Sequence, residues 1–163
     1  MKIQLLLAVL FGLFCGLLMA NTAPSVITPN EAGQAKENGV GQLTIEITNI
    51  RAMKGRVNIA VFNSSEAWLK KSVYSVRLPI NDKSCGESSC TWQVDKAEYA
   101  DYGIAVFHDI NANGEMDTNF VGLPEEDYGF SNNETSAFGL PPSWKKAKFI
   151  VNGAINTHSI ALN

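Results

Sequence analysis

From Gln42 onward the apolar positions fall on every second residue. Leu43, Ile45 and Ile47 alternate with Thr44, Glu46 and Thr48, and Val57, Ile59 and Val61 repeat the period after a Lys54-Gly55 turn. A period of two puts successive side chains on opposite faces of an extended chain, so each run reads as a strand with one buried face. Residues 73–78, 91–94, 104–107, 149–151 and 160–162 form further short runs, rich in β-branched and aromatic residues and bounded by Gly, Asn, Asp and Pro. About seven such strands in about 120 residues predict an all-β fold, a single Ig-like or prealbumin-like β-sandwich. The Asn152-Gly153 pair between the last two runs predicts a C-terminal hairpin that closes the sandwich. One stretch breaks the alternation. Residues 64–71 begin with the capping-type Ser64 and continue in good helix formers, which predicts one short helix or helical turn.

The chain ahead of these strands has a different composition. Lys2 is followed by a charge-free stretch from Ile3 to Met19, dense in Leu, Val, Phe and Ala, and then by Ala20 and a polar Asn21-Thr22-Ala23-Pro24. A basic start, an apolar stretch and a small residue at the cut form a secretory signal, with cleavage expected after Ala20. An uncleaved anchor would need a longer apolar run, about 20 residues. Lipidation at Cys15 would need a small residue before it, where Phe14 stands. Residues 21–41 are polar, carry two Pro and three Gly and show no apolar period, so they read as a flexible linker. The expected organisation is therefore signal peptide 1–20, linker 21–41 and β-sandwich domain 42–163, exported to the periplasm or beyond.

Charge then narrows the partners. Beyond residue 20 there are twelve Lys and Arg against sixteen Asp and Glu, a net charge of −4. A mildly acidic chain is not built for nucleic acid or for an anionic membrane, and no membrane association of the mature form is expected. The acids are unevenly placed. Between Ala97 and Trp144 stand nine of them and no Lys or Arg: Glu98, Asp101, Asp109, Glu115, Asp117, Glu125, Glu126, Asp127 and Glu134. Read along the chain, these carboxylates repel one another unless a cation or solvent screens them. Two cysteines remain beyond the signal, in Cys85-Gly86-Glu87-Ser88-Ser89-Cys90. In an oxidising compartment such a pair predicts a disulfide that pins a tight loop; the spacing is not that of a redox Cys-x-x-Cys.

Inside the acidic window lies Asp109-Ile110-Asn111-Ala112-Asn113-Gly114-Glu115-Met116-Asp117. Oxygen-bearing side chains take the first, third, fifth and ninth places and Gly the sixth, the spacing by which a loop wraps calcium. Asp109, Asn111, Asn113, Asp117 and the Glu115 carbonyl would supply five oxygens, with water, Asn119, Glu125, Glu126 or Asp127 completing the shell. The twelfth place is Phe120 where a helix-loop-helix calcium hand needs a bidentate Glu, and the preceding Ile104-Ala105-Val106-Phe107 reads as a strand, so the expectation is a calcium loop on a β-domain. The competing reading is a plain turn satisfied by its own backbone hydrogen bonds.

The run Tyr102-Gly103-Ile104-Ala105-Val106-Phe107-His108-Asp109, continued through Asp117, resembles the signature of the bacterial domain-of-unknown-function family numbered 2141. So do Gly122-Leu123-Pro124-Glu125-Glu126-Asp127-Tyr128-Gly129-Phe130-Ser131-Asn132-Asn133, the later Pro141-Pro142-Ser143-Trp144-Lys145-Lys146-Ala147 and the early Lys54-Gly55-Arg56-Val57. The resemblance covers residues 42–163 and implies an exported Ig-like or prealbumin-like β-domain with no established activity. A looser similarity joins the 109–117 loop to the Asp-x-Asn-x-Asp-Gly loops of bacterial surface repeats, which hold calcium.

Catalysis is the weakest reading. His108 could pair with Ser131 and an acid, but no Gly-x-Ser-x-Gly elbow is present and His108 reads more simply as a strand-end residue. His158 reads as an exposed residue of the last strand. Glu125, Glu126 and Asp127 are neighbours in a loop, not the facing carboxylate pair of a glycosidase. The long connection 122–144 carries Tyr128, Phe130, Phe138 and Trp144, which either face a sugar or peptide ligand or fold inward and fasten the loop. The sequence thus ranks a non-enzymatic module stabilised by calcium first, a carbohydrate- or peptide-binding domain using the aromatic loop second, and a hydrolase last.

Overall fold

The computed structural model describes residues 39–80, 83–135 and 140–163. The expected signal segment, nearly all of the expected linker, and Phe138 lie outside the described residues.

Among the described residues eight strands form two facing sheets, so the all-β sandwich expectation holds with one strand more than anticipated. The first sheet has the order β4-β1-β8, from Cys90–Glu98, Val40–Thr48 and Ile155–Ala161. β4 runs antiparallel to β1 and β8 runs parallel to it. The second sheet has the order β3-β2-β5-β6, from Tyr74–Pro79, Arg56–Phe62, Ala100–Asp109 and Tyr128–Phe130, and the short β7, Phe149–Val151, pairs with the start of β5. Period-two burial follows the sequence pattern. Leu43, Ile45 and Ile47 of β1 meet Val57, Ile59 and Val61 of β2, Ile104 and Val106 of β5, and Ile160 and Leu162 near the C-terminus in one core.

Two local expectations change and a third is met only in its weaker form. The C-terminal hairpin is absent: β7 pairs with β5 in one sheet, whereas β8 pairs with β1 in the other. The Asn152-Gly153 link therefore carries the chain between sheets. It passes so close to β1 that a Cβ on Gly41 would lie 2.1 Å from the Gly153 carbonyl. Asn156 holds the link by donating from Nδ2 to the carbonyls of Gly153 at 2.6 Å and Gln42 at 3.2 Å. Residues 64–71 meet their expectation in its weaker form, as helical turns that do not extend into a helix. Ser64 Oγ does accept the Ala67 amide, and the Lys71 amide reaches the Ala67 carbonyl, but Leu69 at φ 58° stops propagation. The one α-helix among the described residues is α1, Trp144–Ala147. β6, which the sequence pattern missed, is only three residues long, too short to show a period.

The second sheet is covered on its outer face as well. Phe62, Trp68, Phe130 and Ala147 form a separate apolar cluster there, packed with Ala60, Ala105, Tyr128 and Trp144. Trp68 lies 5.1 Å edge-on from Phe62 and 5.8 Å from Trp144, measured between ring centroids, and its Nε1 donates to the Pro142 carbonyl at 2.9 Å. Gly103 of β5 makes room for both indoles, since a Cβ there would stand 2.8 Å from each. Gly103→Ala should therefore destabilise the protein by about 1–3 kcal/mol in urea unfolding, the usual range for overpacking. Gly86→Ala, where the nearest atom would be 3.7 Å away, should stay within about 0.5 kcal/mol of the parent.

Candidate functional site

The loop that follows β5 is organised by its own side chains. Asp109, wholly buried at the end of the strand, accepts the Asn113 amide at 3.0 Å on Oδ1 and the Gly114 amide at 2.8 Å on Oδ2. Asn58 Nδ2 of β2 adds a third donor at 3.3 Å, and Arg56 Nε stands 3.9 Å away. Asn111 Oδ1 also accepts from the Asn113 amide, and Asn113 Oδ1 from the Glu115 amide. Ala112 at φ 61° and Gly114 at φ 90° supply the left-handed bends that turn these groups inward. Asp117 closes the loop by accepting from Asn111 Nδ2 at 2.6 Å and Asn113 Nδ2 at 3.0 Å. The side chains of Asp109, Asn111, Asn113 and Asp117 are thus brought together, and each is satisfied within the loop or by β2. Most of the expected outer oxygens are already committed. Asn119 Oδ1 accepts the Val121 and Leu123 amides, buried Glu126 accepts the Ile110 and Asp117 amides, and Asp127 pairs with Arg51. Among the described residues no three His, Cys, Asp or Glu side chains gather to hold a metal.

Four of the nine acids in the window are met by bases in space, which amends the reading along the chain. Arg51 reaches Asp127, Arg56 stands by Asp109, Lys146 lies 3.6 Å from Glu134 and Lys148 lies 3.3 Å from Asp101. The bases come from outside the window, so folding supplies a screening that sequence order conceals. The cysteine expectation is met: Cys85 and Cys90 form a disulfide at the entry to β4.

Beside the loop, the outer face of the second sheet carries a cleft of about 890 Å³. Its floor is two cross-strand rows. Strand register sets Arg77, Asn58, Phe107 and Tyr128 side by side across β3, β2, β5 and β6, and sets Ser75, Ala60, Ala105 and Phe130 in the next row. The small side chains of Ser75, Ala60 and Ala105 hollow the floor, and the rim comprises Gly114, Met116, Gly122 and Pro124 of the loop with Leu140 and Pro141. Asn58 is only 8% exposed, and its Oδ1 has no hydrogen-bond partner.

The structure separates the other candidates. His108 is fully buried; its Nε2 donates to the Lys54 carbonyl at 2.8 Å, and its Nδ1 is unpartnered. Ser131 Oγ donates to the Ala147 carbonyl at 2.5 Å and accepts the Ile104 amide at 2.9 Å, so it fastens β5 to α1 and is not bonded to His108. Glu126 and Asp127 point into separate contacts and form no facing pair with Glu125. Phe130 and Trp144 fold inward against Trp68, and Tyr128 packs on Phe130. His158 is half-buried, a correction to its expected exposure. It stacks on Phe149 at 3.8 Å and its Nε2 accepts the Asn132 amide at 3.0 Å.

Sequence reasoning missed the cleft residues Asn58, Ala60, Ser75, Arg77 and Ala105. The only trace was Asn58 and Ala60 alternating with Val57, Ile59 and Val61. A run of small or polar residues on a solvent face carries no signal until register sets two such strands side by side.

Residues 45–159 match the model of a family described as an uncharacterized protein conserved in bacteria (DUF2141). No curated protein and no solved structure matches the chain.

Burial holds the His158 pKa below its ordinary 6.5. Its contribution to stability is therefore complete above about pH 6.5 and is lost as the pH falls through the lower folded-state value, because the unfolded chain binds the proton more readily. His158→Phe should flatten that part of the acid limb, read as the unfolding midpoint against pH.

Proposed function

The chain belongs to the DUF2141 family of uncharacterised bacterial proteins, and we propose that it is an exported, non-enzymatic module that binds a small ligand in the cleft on the outer face of its second sheet. The observation that carries this reading is the cleft itself. Its size falls in the range of small-molecule sites, and such sites pair a mostly apolar lining with a few fixed polar groups. Phe107, Met116, Pro124, Tyr128, Phe130, Leu140 and Pro141 give the apolar part, and Asn58 and Arg77 the polar part. So few polar partners suit a compact apolar molecule better than a sugar, whose hydroxyls would go largely unpaired. The commitment of His108 and Ser131 to backbone groups favours binding over hydrolysis. Export is part of the proposal. The first twenty residues read as a secretory signal, and the Cys85–Cys90 disulfide suits an oxidising compartment.

A second reading, calcium in the 109–117 loop, is favoured by the convergence of Asn111 and Asn113 on the Asp117 carboxylate. An amide turned about its Cγ offers an oxygen where it now offers hydrogens, so the same positions could face a cation.

Two measurements address these readings. The neutral fluorophore N-phenyl-1-naphthylamine should bind the purified protein, and Ala60→Phe, which fills the floor, should abolish the binding while near-ultraviolet circular dichroism stays native. Binding unaffected by Ala60→Phe would remove the cleft from the proposal. For the second reading, millimolar calcium should raise the thermal midpoint in proportion to the logarithm of its concentration, and Asp117→Ala should cancel the rise. A midpoint indifferent to calcium makes the loop a plain turn.

A further inference from the structure

Among its described lining residues the cleft is charged at one end only, and the charge is positive. Arg77 stands on β3 at the end of the row formed with Asn58, Phe107 and Tyr128. The aromatic side chains lie at the opposite end, on β5 and β6. Between them the floor is Ala60 and Ala105, with nothing larger than a methyl group rising from it. Arg77 has no ion-pair partner among the described residues, although the chain carries more acids than bases; the bases that pair are Arg51, Arg56, Lys146 and Lys148. Its guanidinium lies over Gly114, 3.8 Å from where a Cβ would stand, so it sits at the rim where the loop meets the sheet. Beyond it a second depression of about 500 Å³ is lined by Lys54, Arg56 and Arg77; Arg56 stands by Asp109, so Lys54 and Arg77 carry the positive charge there.

Asn58 supplies a second polar group, independent of Arg77. Its Nδ2 is held by the Asp109 carboxylate, an acceptor-only group, which fixes the direction of the amide. The Oδ1 is consequently the atom left over. The Oδ1 of this cleft-lining residue is buried and unpaired, and a ligand donor that reached it as the wall shifted would satisfy it.

We infer that the cleft takes a small organic anion with three parts: a flat apolar body lying over Ala60 and Ala105 against Phe107, Tyr128 and Phe130, an N–H or O–H donor at Asn58 Oδ1, and a carboxylate or sulfonate at Arg77. The inference rests on the binding reading of this same cleft. A guanidinium suits the anionic part because its planar fork matches two oxygens at once. The apolar body contributes area against the rings, and the donor fixes its orientation.

Two fluorophores with one skeleton separate the parts. 1-Anilinonaphthalene-8-sulfonate has the apolar body, the N–H donor and the anion, and N-phenyl-1-naphthylamine lacks only the anion. Arg77 is exposed and without a partner among the described residues, so Arg77→Met should leave the thermal midpoint unchanged. That variant should weaken the sulfonate at least about tenfold and leave the neutral probe within about twofold, and added salt should weaken only the sulfonate. Equal effects on the two probes, or none, would overturn the anionic assignment while the binding reading stands. Failure of both probes to bind the parent protein would remove the binding reading and this inference with it. The fully exposed Phe120 at the loop tip offers another occupant, from a second copy of the chain. Concentration-dependent dimerisation that displaces the sulfonate and vanishes in Phe120→Ser would place that tip in the cleft and overturn the small-anion proposal.

Discussion

Strand β5 is paired along both edges and covered over most of both faces, and most of the molecule is arranged around that constraint. Its ten residues pair with β2 along one edge and with β7 and then β6 along the other. Ile104 and Val106 face the core between the sheets, whereas Gly103, Ala105 and Phe107 face outward beneath the tryptophans and the cleft. The polar groups at the ends of so covered a strand are met from within the fold, His108 Nδ1 excepted. Tyr102 donates to the Glu98 carbonyl, His108 to Lys54, and Asp109 takes up two amides of the loop it emits. The loop is ordered because the strand end is buried.

That arrangement divides the outer face into two regions of opposite packing. Toward the start of β5, large rings lie on small residues: Trp68 and Trp144 fill the space over Gly103. Toward its end the floor is again small, at Ala60 and Ala105, but among the described residues no ring crosses the whole of it, and the cleft is what remains. Close packing is the rule in protein interiors. An apolar hollow with a polar group left unpaired at its wall is a departure from that rule, and such departures are where binding sites are sought. Residues Ser131–Asn133 hold the two regions in register. Ser131 joins β5 to α1, Asn132 donates to the Lys146 and Lys148 carbonyls, and Asn133 Oδ1 accepts from Ala161 of β8. This explains in physical terms why the Gly129-Phe130-Ser131-Asn132-Asn133 stretch, which reads as loop, is structurally demanding.

The loop 109–117 shows how one pattern serves two chemistries. Asp, Asn and Gly at alternating places turn oxygens inward, whether toward a cation or toward the loop's own amides. Sequence spacing reports the inward turn and not what meets it. Here the hydrogen bonds of Asp109, Asn111 and Asn113 to amides two to five residues on account for the turn by themselves. The acidic window behaved similarly. Its charges were counted along the chain, but Arg51, Arg56, Lys146 and Lys148 reach four of them from other strands and loops.

The sequence by itself determined the all-β class, most of the strand positions, the disulfide and the family, because each depends on local period or short spacing. Leu43, Ile45 and Ile47 need only their own alternation to declare a buried face. It also located the loop at Asp109, since Asp, Asn and Gly there act within nine residues of one another. Tertiary structure alone decided which strands pair, and so undid the expected hairpin: residues 149–151 and 155–161 are neighbours in sequence but satisfy their backbones in different sheets. It alone decided the cleft, because a hollow is a property of registers. Ala60 opposite Ala105, and Arg77 beside Asn58, are facts of pairing between segments 19 to 45 residues apart, and no local pattern encodes them.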